Sequence, residues 1–294
     1  MGEKVVYDAF YRDYFIRTEE ENMAILADYH MHSHFSGDSQ ANIDDMIQNA
    51  IKRGLTHMCI TDHLDYDYQI TDETPKGMFD LDIAACAKEI KEYQEKCKGQ
   101  IKLLHGIEIG MQEHLVKENT LAAKAQDFDF VLASSHQMKG YDPCFIPDYA
   151  RTTDEEMYAA YFEEELRNMK LFQDFDVYGH IDYVIRYGYS KDANYSYKKY
   201  QDLFEEMIDV ILQKGKGFEL NTAGIRKGLK QMHPSKEFLT RYRERGGEII
   251  TVGSDAHVAT DIGAGFDLAA EYLKECGFKY YCSFEKRKPT FHKL

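Results

Sequence analysis

A chain of 294 residues with 44% hydrophobic residues can bury an enzyme-sized core, and one domain over residues 1–294 is expected. Its formal net charge of −15 argues against a nucleic-acid surface or an anionic-membrane patch, both of which need clustered Lys and Arg. The six cysteines (Cys59, Cys86, Cys97, Cys144, Cys276, Cys282) form no Cys-x-x-Cys pair and read as reduced thiols of a cytoplasmic protein.

The N-terminal Met1-Gly2-Glu3-Lys4-Val5-Val6 lacks the apolar core of a signal peptide, and Gly2 is not followed by the Ser or Thr that myristoylation requires. No apolar run approaches the roughly 20 residues that span a bilayer. The acidic run Glu19 to Glu21 is too short to mean more than a solvated face. The first strand, expected at 23–32, ends in the most informative segment of the chain. Asp28-Tyr-His30-Met-His32-Ser-His34-Phe-Ser36-Gly-Asp38 packs three histidines and two carboxylates into eleven residues. Period-2 alternation sends His30, His32 and His34 to one side of a strand, where imidazoles can share a divalent cation and Asp38 can return as an oxygen ligand.

A helix is expected over 41–53, then a strand that ends in His57-Met-Cys-Ile-Thr-Asp-His63. A helix over 81–98 leads to a strand from Ile101 that closes on His105-Gly-Ile-Glu108. A helix over 112–126 precedes Phe128-Asp-Phe-Val-Leu-Ala-Ser-Ser-His136, and Thr153-Asp-Glu-Glu156 resembles a capping box opening a helix over 154–173. Phe175-Asp-Val-Tyr-Gly-His180-Ile-Asp182 repeats the pattern with fewer apolar residues. Helices over 196–214, 235–245 and 263–276 frame the last strand, Glu248-Ile-Ile-Thr-Val-Gly-Ser-Asp255-Ala-His257. Strand then helix, repeated about seven times, is parallel α/β architecture. Reactive groups at the C-terminal ends of successive strands converge on one barrel mouth. His105 stands three positions before Glu108 and points to the other strand face. His57, His114 and His292 read as structural or exposed, and the 22 tyrosines as packing with an option of stacking on a ring.

Asp28-x-His30-x-His32 with Phe35-Ser36-x-Asp38, Thr61-Asp-His63, Gly106-Ile-Glu108, Ser134-Ser-His136, Gly179-His180-Ile-Asp182 and Gly253-Ser-Asp255-Ala-His257 resemble the ordered motif set of the PHP (polymerase and histidinol phosphatase) family. Glu219-Leu-Asn-Thr-Ala-Gly-Ile-Arg226-Lys and His233-Pro-Ser are similar to its histidinol-phosphatase branch. The resemblance implies a distorted (β/α)7 TIM-like barrel holding two to three divalent transition metals. Carried onto this chain, the metal ligands are His30, His32, Asp38, His63, Glu108 as the bridging carboxylate, His136, His180, Asp255 and His257. Some family members carry His where this chain has Asp38, and the hard oxygen bears on metal preference.

A mixed imidazole and carboxylate shell suits zinc, iron or manganese better than magnesium or calcium. Clustered cations of this kind generate a hydroxide nucleophile near neutral pH and hold phosphate oxygens, so hydrolysis of a phosphate ester is the expected reaction. Glu108, Asp255 and His257 are its expected catalytic residues. A guanidinium outside the cluster stabilises the phosphoryl charge. Arg186 and Arg226 are the candidates, Arg226 also counted as catalytic, with His233 as a further substrate contact or proton donor. The expected substrate is a small phosphorylated metabolite, L-histidinol phosphate first. The alternatives are another phosphorylated metabolite or nucleotide, or a non-catalytic metal-binding subunit. Oligomeric state is not legible.

Overall fold

The computed structural model describes residues 24–146 and 152–294. The readings of the first six residues, of Glu19 to Glu21 and of the first position of the 23–32 strand fall outside the described residues.

Short, largely apolar runs form the strands, mostly buried on both faces as parallel sheets require. They are β1 (Ala27–Asp28), β2 (His57–Ile60), β3 (His63–Leu64), β4 (Lys102–Gly110), β5 (Phe130–Ser134), β6 (Val177–Tyr178), β7 (Gly217–Asn221) and β8 (Ile250–Gly253). Every pairing is parallel, in the order β1-β2-β4-β5-β6-β7-β8, with β3 continuing the β2 position against β4. The ring closes just beyond β1 and β8. Tyr29 N–H donates to Val252 O (3.0 Å), Asp255 N–H to His30 O (2.8 Å) and His32 N–H to Ala256 O (2.8 Å). Seven parallel strand positions with two-residue members at β1 and β6 make the distorted (β/α)7 barrel that the motif order implied.

The helices cover the barrel with apolar faces at i, i+3, i+4, i+7 spacing. Helix α1 (Ile43–Lys52) buries Ile43, Met46, Ile47 and Ala50; α5 (Gln201–Lys214) buries Phe204, Met207, Ile208 and Ile211. Each large side chain so buried contributes about 1.5–3 kcal/mol. The others are α2 (Ile83–Lys96), α3 (Val116–Ala122), α4 (Asp154–Leu171), α6 (Ala223–Arg226), α7 (Lys236–Glu244) and α8 (Phe266–Glu275). Asn42, Asp82 and Ser235 cap helix starts with side-chain oxygens, and Thr153 with Glu156 forms the expected capping box.

Two expectations need correction, and one element was not expected. The 23–32 strand is regular only at Ala27–Asp28, with one further bridge at Met31. The chain then turns, Ser36 N–H donating to Ser33 O (3.0 Å), because buried Asp62 accepts from both Ser33 N–H (2.6 Å) and Ser33 Oγ (2.7 Å). Alternation is lost there, and exposed His34 lies 3.6 Å from Glu89, away from His30 and His32. The 112–126 helix is a 3-10 turn, Glu113–Leu115, followed by only seven helical residues. Finally, an antiparallel hairpin, β9 (Tyr280–Glu285) and β10 (Lys288–Lys293), packs against the barrel end opposite the histidines, where Tyr29 OH donates to Phe284 O (2.6 Å). His105 is buried beside Phe128, and burial lowers its pKa to about 4, so it stays neutral and apart from the cluster.

Candidate metal centre and active site

Each candidate ligand leaves its strand at the same rim. His30 and His32 follow β1, His63 opens β3, Glu108 lies in the last third of β4, His136 and His180 each sit two residues beyond β5 and β6, and Asp255 and His257 follow β8. Inward space is made by glycine. A Cβ on Gly110 would stand 1.8 Å from Asp65 Oδ1, and one on Gly253 would stand 2.2 Å from Glu219 Oε1 and 2.4 Å from His30 Cβ. Neither glycine is needed for its φ; both let a carboxylate approach the backbone.

Buried Asp28 locks the rim. Its oxygens accept N–H groups from Ser254 (2.9 Å), Gly263 (2.8 Å) and His30 (3.3 Å), which joins the ends of β1 and β8. Burial pushes its carboxyl pKa upward, and those donors pull it back. Asp255 itself is left-handed at φ 53, a conformation that costs a non-glycine residue about 1–2 kcal/mol. The turn aims its carboxylate back at the histidines, with Oδ1 3.7 Å from His30 Nε2 and 3.4 Å from His32 Nε2.

Glu108 is fully buried at the centre. Its Oε1 lies 3.1 Å from His180 Nε2 and 3.3 Å from His136 Nε2; its Oε2 lies 2.9 Å from His63 Nδ1, 3.2 Å from His30 Nε2 and 3.6 Å from His32 Nε2. His257 Nε2 reaches Asp38 Oδ2 at 3.1 Å, with His63 Nε2 3.9 Å from the same oxygen. All nine expected metal ligands are thus brought together. Four triads have ligand atoms within 4.8 Å of one another: His32, His63 and His257; His30, His32 and Asp255; His30, Glu108 and His180; His63, Glu108 and His136.

The inner atoms fit cations. His30 Nε2, His32 Nε2, His63 Nδ1 and Glu108 Oε2 are buried without a hydrogen-bond partner, a costly state for polar groups that a cation between them relieves. The outer nitrogens are anchored. His30 Nδ1 meets Glu219 Oε1 at 2.7 Å, His136 Nδ1 meets Asp65 Oδ1 at 2.7 Å, and His32 Nδ1 meets Ser36 Oγ at 3.2 Å. Ser36 Oγ in turn donates to Asp62 (2.9 Å), so it accepts from His32 and fixes a tautomer whose lone pair faces inward. Asp65, Glu219, Ser36 and Asp62 had not been assigned these roles from the sequence. Their only local signal was an acidic or hydroxyl group close to a ligand motif.

The cluster's own charges are steeply perturbed. Burial opposes ionisation of Glu108 and Asp255, yet the surrounding imidazoles hold both well below the carboxylate range. Burial also works against a charged His136, but Asp65 and Glu108 outweigh it and raise its pKa to about 10; against the same burial, Glu108, Glu219 and Asp255 hold the His30 pKa well above its ordinary value. A divalent cation therefore has to displace protons. Loading zinc or manganese near pH 7 is expected to release protons, with apparent affinity weakening as pH falls. Calorimetric titration in buffers of different ionisation heat checks this; identical heats in all buffers would contradict it.

Around the cluster opens a cavity of about 310 Å3, whose lining includes Arg186 and Lys227. Arg186 is buried, its Nη2 3.4 Å from Asp255 Oδ2. Its Nε–H donates to His233 Nε2 (2.9 Å). An arginine N–H can only donate, so His233 Nε2 carries the lone pair and Nδ1–H donates to Asp182. Burial lowers the His233 pKa, and the residue is fully buried. The expectation of His233 as a substrate contact or proton donor is therefore corrected: it positions Arg186. Arg226 is absent from the cavity lining. Its Nη2 donates to Ser254 O (2.5 Å) and Nε faces Asp261 (3.2 Å), while Nη1 is buried without a partner. Its neighbour Lys227 lines the cavity instead.

Parallel strands whose rim gathers imidazoles, carboxylates and a guanidinium around a small cavity define a metal-dependent hydrolase of barrel architecture. Residues 28–223 match the PHP domain family, and the chain belongs to that family. The chain is 32% identical over 265 residues to a probable histidinol-phosphatase of Clostridium acetobutylicum, an alignment covering 90% of this chain and 98% of that one. It is 29% identical to the histidinol-phosphatase of Lactococcus lactis, over 89% and 95% of the two chains. The crystal structure of histidinol phosphate phosphatase from Lactococcus lactis, complexed with zinc, L-histidinol and phosphate, superposes with a TM-score of 0.81 over 90% of this chain and 98% of that chain.

Proposed function

We propose that this chain is a metal-dependent phosphomonoesterase that hydrolyses L-histidinol phosphate to L-histidinol and phosphate. The observation that carries the reading is the set of unpartnered inner ligand atoms beside a buried, carboxylate-fixed Arg186 at one cavity. The similarity to histidinol-phosphatases over nearly the whole chain supports the substrate.

His30, His32, Asp38, His63, Glu108, His136, His180, Asp255 and His257 would hold two to three divalent ions, with zinc, iron and manganese all suited to the donor set. When bound, such ions supply Lewis acidity and a nucleophile at neutral pH. The chain's own residues do the rest. Arg186 offers Nη atoms toward the phosphoryl group, its tilt set by Asp182 through His233 and its plane by the Tyr183 ring, 5.0 Å from the guanidinium carbon. Lys227 adds a second positive charge at the lining. Arg226, bonded behind Ser254 and Asp255, holds the left-handed turn that aims Asp255.

Among the described residues no helix is long and apolar enough to cross a membrane. A small soluble phosphorylated metabolite fits the cavity's size and charge. Phosphate release should be measured with L-histidinol phosphate beside a panel of phosphate monoesters and diesters. The expected outcome is a kcat/KM for L-histidinol phosphate at least about tenfold above any other member, a margin of about 1.4 kcal/mol. Preference for a diester, a nucleotide or another metabolite would replace the substrate.

A further inference from the structure

The cavity has a second chemistry beyond the metal cluster. Past the ring of Tyr183 its lining turns aromatic, with Tyr68 and Tyr187 set near Asp142. Asp142 is 3% exposed. Its Oδ1 accepts Cys144 N–H (2.6 Å), and its Oδ2 accepts the Tyr68 hydroxyl and faces the Tyr183 hydroxyl at 3.5 Å. All of these donors are neutral. The other buried carboxylates in the cavity lining have ionic partners, Asp65 with His136 and Asp255 with Arg186; Asp28 and Asp62, also held by neutral donors, lie outside that lining. Among the described residues, Asp142 has no Lys, Arg or His within ion-pair distance.

A buried carboxylate without a cation is destabilising unless something compensates it. Burial accordingly pushes the Asp142 carboxyl pKa upward. The side chain of Tyr183 measures the distance to the phosphate end. Its ring lies 5.2 Å from the His180 ring and 5.0 Å from the Arg186 guanidinium carbon, and its hydroxyl is the group that faces Asp142. A ligand a few bonds long with its anion at Arg186 therefore has its far end at Asp142.

We propose that Asp142 is a specificity-determining residue that binds the ammonium group of the substrate, so that the site selects phosphate monoesters bearing a cationic amine near the ester. The proposal rests on the phosphomonoesterase reading and refines its substrate class. Tyr68 and Tyr183 hold the carboxylate and form the walls against which a flat ring can stack. The amine, once bound, supplies the charge that Asp142 lacks.

The test uses two substrate pairs with metal-loaded protein: L-histidinol phosphate against 3-(imidazol-4-yl)propyl phosphate, and phosphoethanolamine against ethyl phosphate. Within each pair only the amine differs. The wild-type chain should favour the amine-bearing member. In Asp142→Asn the ratio of kcat/KM values should fall by about 100-fold, mostly through KM, as expected for losing a buried charge-assisted contact. The deaminated member should change by less than about threefold, with metal content unaltered. Asp142→Glu, which keeps the charge, should recover part of the ratio. A wild-type chain indifferent to the amine, an unchanged ratio in Asp142→Asn, or an equal fall for both members would overturn the proposal. Failure of the substrate reading shows separately, as wild-type preference for phosphoethanolamine over L-histidinol phosphate.

Discussion

Glu108→Gln should lower kcat by about three orders of magnitude or more while the protein stays folded, with metal content falling by at least one equivalent on the order of the sites it serves. Among the described residues, Glu108 is the one side chain whose two oxygens face five imidazoles, His136 and His180 on one oxygen and His30, His32 and His63 on the other. A neutral amide keeps the shape, so packing survives. It presents N–H hydrogens to inward lone pairs, however, and loses the charge that draws two cations to one point. Steady-state rates together with elemental analysis check this. Turnover near the wild-type level with full metal content would remove Glu108 from the centre.

Arg186→Ala is the second large effect. Its loss should lower kcat/KM by roughly two to three orders of magnitude, as expected for a charge-assisted contact worth about 3–4 kcal/mol in the transition state. Competitive inhibition by inorganic phosphate should weaken in parallel, because product and transition state share the phosphoryl oxygens. Metal content should hold, since the Asp255 oxygen nearest the histidines is Oδ1, while Arg186 contacts Oδ2. Arg186→Lys should recover only part of the loss, because an ammonium keeps charge but cannot bond His233 and phosphate in one plane. A phosphate inhibition constant that does not move while kcat/KM collapses would make Arg186 structural.

The metal ligands were legible because their signal is local. A histidine or carboxylate at the end of an apolar run is visible in a short window, and barrel topology then brings the strand ends together whatever the helices between them do. Residues acting through a partner were not legible. Glu219 meets His30 across 189 positions and Asp65 meets His136 across 71, and no window joins them. For His34, which alternation places beside His30 and His32 but which suits a solvent-facing role equally well, the solvent side wins because Asp62, in the link between β2 and β3, imposes a turn there. Arg226 and Lys227 are the last residue and the C-cap of a one-turn helix, so which of them lines the cavity is decided by tertiary contacts to Ser254 and Asp261.

The C-terminal hairpin escaped for a related reason. Its turn residues Lys286 and Arg287 are both left-handed, at φ 50 and φ 65, where sequence normally signals Asn or Gly. The conformation is held from outside by Asp129, which accepts Lys286 N–H (3.0 Å) on Oδ1 and Arg287 N–H (2.9 Å) on its carbonyl, and by Asp176 on the Arg287 side chain. Tertiary bonds there supply what the local sequence lacks.

The central claim is that one multinuclear centre, built by these nine side chains, performs phosphate-ester hydrolysis. Titrating chelator-treated protein with zinc or manganese while following phosphate release from L-histidinol phosphate tests it most directly. The account predicts a rate that climbs until about two to three equivalents per chain are bound and then levels off, since nine convergent ligands exceed what one ion can use. A rate complete at one equivalent, or one indifferent to added metal, would contradict it.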